Sequence, residues 1–152
     1  MKRDAGREIG IEALDRCAYA VLAMTDGEGK PYCIPVQVVR LGEDLYFHSG
    51  LAGEKVDYLR ARPEVCLTAV GSQQVFQDIY ETAFTSAVVR GTVSEVTDGE
   101  EMRQALRAIC RRYAPDCPGR VEEVIRDNLA HARVWKLRMS TVSGRRKDCG
   151  RA

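Results

Sequence analysis

The chain has 152 residues, 45% of them hydrophobic and 30% charged, with a formal net charge of +1. This balance excludes a disordered chain and fits a single domain, 1–152, able to bury a core without metal or disulfide staples. The near-neutral charge supplies no global field for nucleic acid or an anionic membrane, no apolar run nears the ~20 residues of a membrane span, and Met1-Lys2-Arg3-Asp4 opens no signal-peptide core, so a cytoplasmic protein is expected.

Ile11 and Leu14 can share one face of a short helix near Glu8 to Arg16. Tyr19 to Thr25 reads as a strand, and Asp26-Gly27-Glu28-Gly29 is a turn signal. Pro31 to Arg40 resumes extended structure, with Pro35 pointing to an edge or a bulge because it lacks a ladder donor. Gly42-Glu43-Asp44 turns the chain into a third strand, Leu45 to Ser49. After the small-residue loop Gly50 to Gly53, Val56 and Leu59 recur at helical spacing until Pro63 ends the helix.

Val65 to Val70 is apolar enough for a strand, and the polar stretch Gly71 to Ala83 is expected to be a long irregular loop. Phe84 to Val96 alternates as a long half-buried strand. Asp98 and Glu101 have the spacing of a capping box. Met102, Leu106, Ile109 and Tyr113 then mark one helical face, and Val121, Val124, Ile125 and Leu129 mark a second. Arg133 to Met139 alternates as a last strand, followed by a basic tail expected to be solvated and mobile. The sum is a mainly β chain with flanking helices, an α+β protein of about six strands in an antiparallel meander that closes as a barrel.

Six cysteines and two histidines could suggest metal binding, but no C-x-x-C pair is present. Buried reduced thiols are expected, and no metal site. His131 reads as structural or solvated, and Trp135 as packed in the barrel or an interface.

The informative stretch is Tyr46 to Pro63. A strand ends in His48-Ser49, crosses a loop holding Gly50 and Gly53, and enters a helix with Lys55 in its first turn. Helix-start amides lack internal partners and carry partial positive charge, which favours an anion there. Ser49 can add a hydroxyl and Lys55 a full charge, so the segment has the chemistry of a phosphate cradle. The same residues also fit an ordinary glycine turn before a solvated lysine, and the Glu54 carboxylate would repel phosphate unless turned outward. His48 fits a catalytic acid, a haem ligand or a polar strand end.

These pieces together resemble the flavin split-barrel family that includes pyridoxamine 5′-phosphate oxidase, and within it the branch of 5-nitroimidazole resistance (Nim-type) proteins. The resemblance rests on Arg3, Asp4, Arg7 and Glu8, on the Gly-x-Pro-Tyr-x-x-Pro-Val run ending at Val36, and on Tyr46-Phe47-His48-Ser49 with Gly53-x-Lys55-x-Asp57 and Arg62-Pro63. Ser86 to Gly91 and Thr141 to Gly144 complete it. It implies a six-stranded antiparallel split β-barrel, a homodimer with FMN at the subunit interface, and an FMN-dependent oxidoreductase reducing a small flat acceptor such as a nitroaromatic. A non-enzymatic flavin- or haem-binding protein on the same fold, or use of the deazaflavin F420, is the alternative.

By position, the resemblance places the backbone of Ile34, Pro35 and Val36 against the isoalloxazine. Phe47, His48 and Ser49 fall along the ribityl chain and phosphate, with His48 the candidate catalytic residue. Gly53, Glu54 and Lys55 fall at the phosphate, and Ser86 reaches the flavin from the same or the other subunit. Two positions depart from the branch: Glu54, where many relatives carry histidine or arginine, and Thr85, where a basic residue is frequent.

Overall fold

In the computed structural model, residues 6–149 are described, so Arg3 and Asp4 lie outside them. Helix α1 (Gly6–Arg16) leads into β1 (Ala20–Thr25), β2 (Pro31–Val36), β3 (Val39–Leu41) and β4 (Asp44–Ser49). Helix α2 (Glu54–Ala61) precedes the long strands β5 (Glu64–Phe76) and β6 (Glu81–Glu95). Helices α3 (Gly99–Tyr113) and α4 (Val121–Asn128) come before β7 (Arg133–Lys147). The strands form one antiparallel sheet in the order β2-β1-β5-β6-β7-β4-β3.

Seven strands therefore replace the expected six, because the extended run Pro31 to Arg40 changes neighbours partway. Its first part pairs with β1 (Val21 with Pro35) and its last part with β4 (Val39 with Tyr46). β2 and β3 point the same way and are two stretches of one bent strand, yet they are the two edges of the sheet. Three Cα–Cα steps separate Val36 from Val39, so these edges lie no more than about 11 Å apart there. The sheet is rolled almost shut and left open along one seam.

Val38 sits where the strand changes partners, and side chains satisfy its backbone. The Tyr113 hydroxyl accepts from its N–H at 3.1 Å and donates to its carbonyl at 2.7 Å. Arg112 donates to the same carbonyl at 2.8 Å and to the Leu14 and Cys17 carbonyls at the end of α1, also at 2.8 Å.

Two further expectations are corrected on the far side of the barrel. Gly71 to Ala83 is not an irregular loop: beyond an irregularity between Val70 and Ser72, β5 and β6 stay paired to Phe76 and Glu81. Both faces of this hairpin are largely wet, so no apolar alternation announces it. The basic tail is not mobile either, since Thr141–Lys147 continues β7 against Phe84–Arg90. Arg146 pairs with Glu12 at 2.6 Å and Lys147 with Glu81 at 2.6 Å.

The core inside the sheet joins Leu22, Leu45, Phe47, Leu67, Val89, Trp135 and Leu137. Helix α1 closes one face at very short range, because a Cβ added to Gly144 would meet Gly10 N at 2.3 Å, and one added to Gly71 would meet Ala13 Cα at 2.5 Å. A second cluster, including Tyr46, Leu106, Ile109, Ile125 and Val134, seats α3 and α4 on the outside of β3, β4 and β7. Asp98 caps α3 by accepting from Glu101 N at 2.8 Å. The Glu101 carboxylate does not complete a capping box: it accepts from Tyr46 at 2.7 Å and Lys136 at 2.8 Å, tying the helix to the sheet.

Among the cysteines, Cys17 is buried, but Cys33 and Cys66 face outward on β2 and β5, Cys33 exposed and Cys66 half-buried. Both lie opposite Ala23 and so share the outer side of the sheet.

Candidate functional site

The seam brings together most of the residues singled out in the sequence. Val39, Arg40 and Leu41 pair with Tyr46, Leu45 and Asp44. Continued in register, Gln37 would oppose His48 and Val36 would oppose Ser49, but no ladder forms there. Ile34–Val36 and Phe47–Ser49 thus border one opening from its two sides. Ile34 is half-buried, Pro35 is exposed and Val36 is buried, as expected for an edge strand with one wet face.

At the foot of the opening, β4 passes through Gly50–Gly53 into α2. Gly53 holds φ +126, a backbone state that a side chain rarely adopts, and open space surrounds the place its Cβ would take. Its carbonyl accepts from Val56 N at 2.9 Å and Asp57 N at 3.2 Å. The Glu54 and Lys55 amides precede that first turn and find no carbonyl within the helix.

Lys55 is half-buried, and desolvation lowers its pKa below the ordinary lysine value. Among the described residues it makes no side-chain hydrogen bond and no ion pair. Glu54 does not oppose it: that carboxylate is exposed and accepts from the Tyr58 hydroxyl at 3.2 Å, whose ring packs edge-on against Tyr32 with centroids 5.2 Å apart.

Long-range contacts fix the loop and the helix. Arg133 Nε donates to the Leu51 carbonyl at 2.7 Å, and its guanidinium pairs with Glu95. Arg60 reaches the same carboxylate at 2.9 Å, and Arg62 donates to Gly27 O at 3.0 Å. The hydrogen bond from Arg60, joined by Arg133, holds the Glu95 carboxyl below the usual range.

His48 projects from the outer side of β4. Desolvation, and secondarily the Lys55 charge, lower its pKa from the ordinary histidine value. Its imidazole is therefore neutral at pH 7 and can both donate and accept. Ser49 points inward instead, buried, accepting from Trp135 Nε1 at 2.9 Å and donating to Gly50 O at 2.9 Å. Its hydroxyl is spent on the barrel, and what it presents to the opening is backbone.

Ser86 is not gathered with the others. It pairs with Val70 and Arg145 on β6, three strands from β2, or about 14 Å along the sheet. Thr85, one of the two departures from the branch pattern, is buried and bonded to Ser72 at 2.9 Å. Sequence reasoning missed Arg133, Glu95 and the Trp135–Ser49 bond, all long-range pairings with no local signature. His131, read as structural or solvated, lines the same hollow of about 370 Å³ as His48.

An antiparallel barrel open along one seam, with a cationic helix start at its foot, defines the class of flavin split barrels. The pyridoxamine 5′-phosphate oxidase family profile matches residues 7–146, and the chain belongs to that family. Among solved structures it is similar to a candidate 5-nitroimidazole antibiotic resistance protein from Bacteroides thetaiotaomicron, at 27% identity and TM-score 0.75 over 92% of this chain and 83% of that one. A flavocytochrome from Azotobacter vinelandii shares the fold at 20% identity and TM-score 0.77, covering 97% of this chain and 72% of that chain. A FAD-binding protein from Mesorhizobium loti does so at 21% identity and TM-score 0.66, covering 96% and 98%. No curated protein matches the chain. No helix among the described residues is long and apolar enough to cross a membrane.

Proposed function

We propose that this chain is an FMN-dependent oxidoreductase that works as a homodimer and acts on a small flat acceptor such as a nitroaromatic. The observation that carries the cofactor assignment is Lys55: a half-buried cation without an anionic partner among the described residues, beside two helix amides and a glycine that leaves space. A phosphate group would supply the charge this arrangement lacks. Flavin, when bound, supplies the redox chemistry, and the protein positions it and tunes its surroundings.

The residues divide that task along the seam. Lys55 and the Glu54 and Lys55 amides would hold the phosphate, and the unpaired outer edge of β2 at Ile34–Val36 would offer backbone groups to the ring. Arg133, through Leu51, keeps the loop from moving away. His48, neutral and next to Lys55, is the side chain here able to hold or pass a proton at its imidazole.

The outer face of the sheet supports a second copy. Val21 pairs with both Pro35 and Thr68, and along this row lies a hollow of about 450 Å³ lined by Tyr19, Val21, Thr68 and Val70. Val70 is 52% exposed and Val88 41%, an apolar strip that a partner would cover. Ser86, on this same stretch of sheet, would then approach a flavin bound by the other copy.

The test is a visible absorption spectrum of the protein purified without added cofactor, with the mass of whatever heat releases, followed by turnover of a nitroimidazole with a nicotinamide reductant. Two flavin bands, a released FMN mass and turnover are expected. A Soret band would replace flavin by haem, and flavin without turnover would leave a carrier. A colourless protein that ignores added FMN would end the proposal.

A further inference from the structure

Both histidines of the chain reach one place. His48 leaves the end of β4, and His131 stands at the end of the single turn Leu129–His131 before β7, yet the two line the same hollow of about 370 Å³. The floor is apolar, made by Leu106, Ile109 and Ile125, all buried. The rim is polar and wet, made by His48, His131 and Asn128. Gly53, Glu54 and Lys55 do not line it, so it adjoins the anion cradle only through His48, Ser49 and Gly50.

We propose that this hollow between β4 and the α3–α4 pair binds a small flat aromatic molecule of one or two rings, hydrogen-bonded at its edge by the two histidines. The size argues for this class. An apolar cavity of about 150 Å³ accepts one benzene ring, and small-molecule sites begin near 300 Å³. The chemistry argues for it too. A floor of Leu106, Ile109 and Ile125 offers dispersion contact to a ring but no counter-charge, so a strongly ionic ligand would lose its hydration for nothing in return.

The polar groups stand only at the rim, which suits a hydroxyl or carbonyl on the edge of that ring. Asn128 Nδ2 is already committed to Val124 O at 2.8 Å, which leaves the amide oxygen as an acceptor. His48 is neutral at pH 7 and can donate or accept, and the Lys55 charge behind it favours an electron-rich edge. The site would be occupied beside a bound flavin rather than in its place, and it does not depend on the flavin assignment.

The experiment uses the full chain, saturated with FMN and labelled at histidine Cε1, titrated with 2-naphthol. With two histidines the spectrum holds two signals, and both are expected to move along one saturation curve. Val124→Trp alters an exposed residue of the lining and places a large ring in the hollow, and it should weaken the affinity at least tenfold. An unmoved histidine, two unrelated curves, or undiminished binding by Val124→Trp overturns the proposal. If that variant fails to fold, the paired histidine shifts carry the test alone. FMN binding is read in the same samples by flavin fluorescence, so a chain that ignores flavin yet shifts both histidines would sink the cofactor assignment and leave this site standing.

Discussion

The two sides of the barrel are built on different terms. On the closed side, β5, β6 and β7 run 13 to 15 residues each, paired nearly end to end, with α1 pressed onto them through glycines. On the seam side, β2, β3 and β4 have 3 to 6 residues, and the ladder stops at Val39. Nearly all the candidate site residues lie on the seam side, where unpaired strand edges, a half-buried lysine and a positive-φ glycine collect. The difference teaches that one half supplies the rigidity that lets the other half leave polar groups without partners.

The comparison breaks most sharply on the closed side. Gly144→Ala would drive a methyl group into the α1 backbone and should cost on the order of 3 kcal/mol, or about 10 °C in Tm. Calorimetry should register that loss while the surviving folded protein binds FMN unchanged. An equally large loss of flavin affinity would mean that the two sides are not separable.

Lys55→Ala should do the reverse. Removing one charged partner of a phosphate costs about 1.5–3 kcal/mol, roughly a 10- to 100-fold weaker FMN affinity by flavin fluorescence. Tm without cofactor should hold or rise slightly, because a desolvated, unpaired charge is removed. Full retention of FMN would move the phosphate elsewhere.

Gly53→Ala tests strain rather than charge. With open space around the Cβ, φ at +126 and ψ at 170, the substitution should cost about 1–3 kcal/mol through the backbone alone, and should loosen FMN several-fold by shifting the start of α2. Thermal melts with and without FMN separate the two effects.

The smallest effect is the most local. In the flavin-free protein the His48 pKa is lowered, so its contribution to stability is complete above the ordinary histidine value near 6.5 and is lost as pH falls through the lower folded value. A bound phosphate opposes the Lys55 charge, so adding FMN should move the His48 midpoint upward. Histidine NMR, with the two signals assigned through His131→Asn, reads this directly. A midpoint that stays put or falls would separate His48 from the phosphate.

What could be read from the sequence follows the range of the interactions. The Asp26 turn is local and was legible, since Asp26 Oδ1 takes the amides of Glu28 and Lys30 at 2.9 and 2.8 Å. The block from Gly53 to Lys55 was legible for the same reason, because loop, cap and charge are sequence neighbours. The seam was not, because Val38 owes its satisfaction to Arg112 and Tyr113, far along the chain. The β5–β6 extension and the end of β7 escaped because backbone pairing, not side-chain burial, holds them. His131 escaped because only the fold brings it to the hollow that His48 lines.

The bonds of Arg112 and Tyr113 to Val38 also bear on aggregation. A bent strand that abandons one neighbour and takes another leaves open edge along its length, a template on which another chain could add by main-chain pairing. Pro31 and Pro35 remove two donors from the lower part, and the Tyr113 hydroxyl occupies both the donor and the acceptor of Val38. The edge is thereby cut into stretches too short to recruit a foreign strand. Tyr113→Phe would reopen the Val38 donor at little cost in packing while Arg112 stays on the carbonyl, and its expected signature is a loss of colloidal stability on storage.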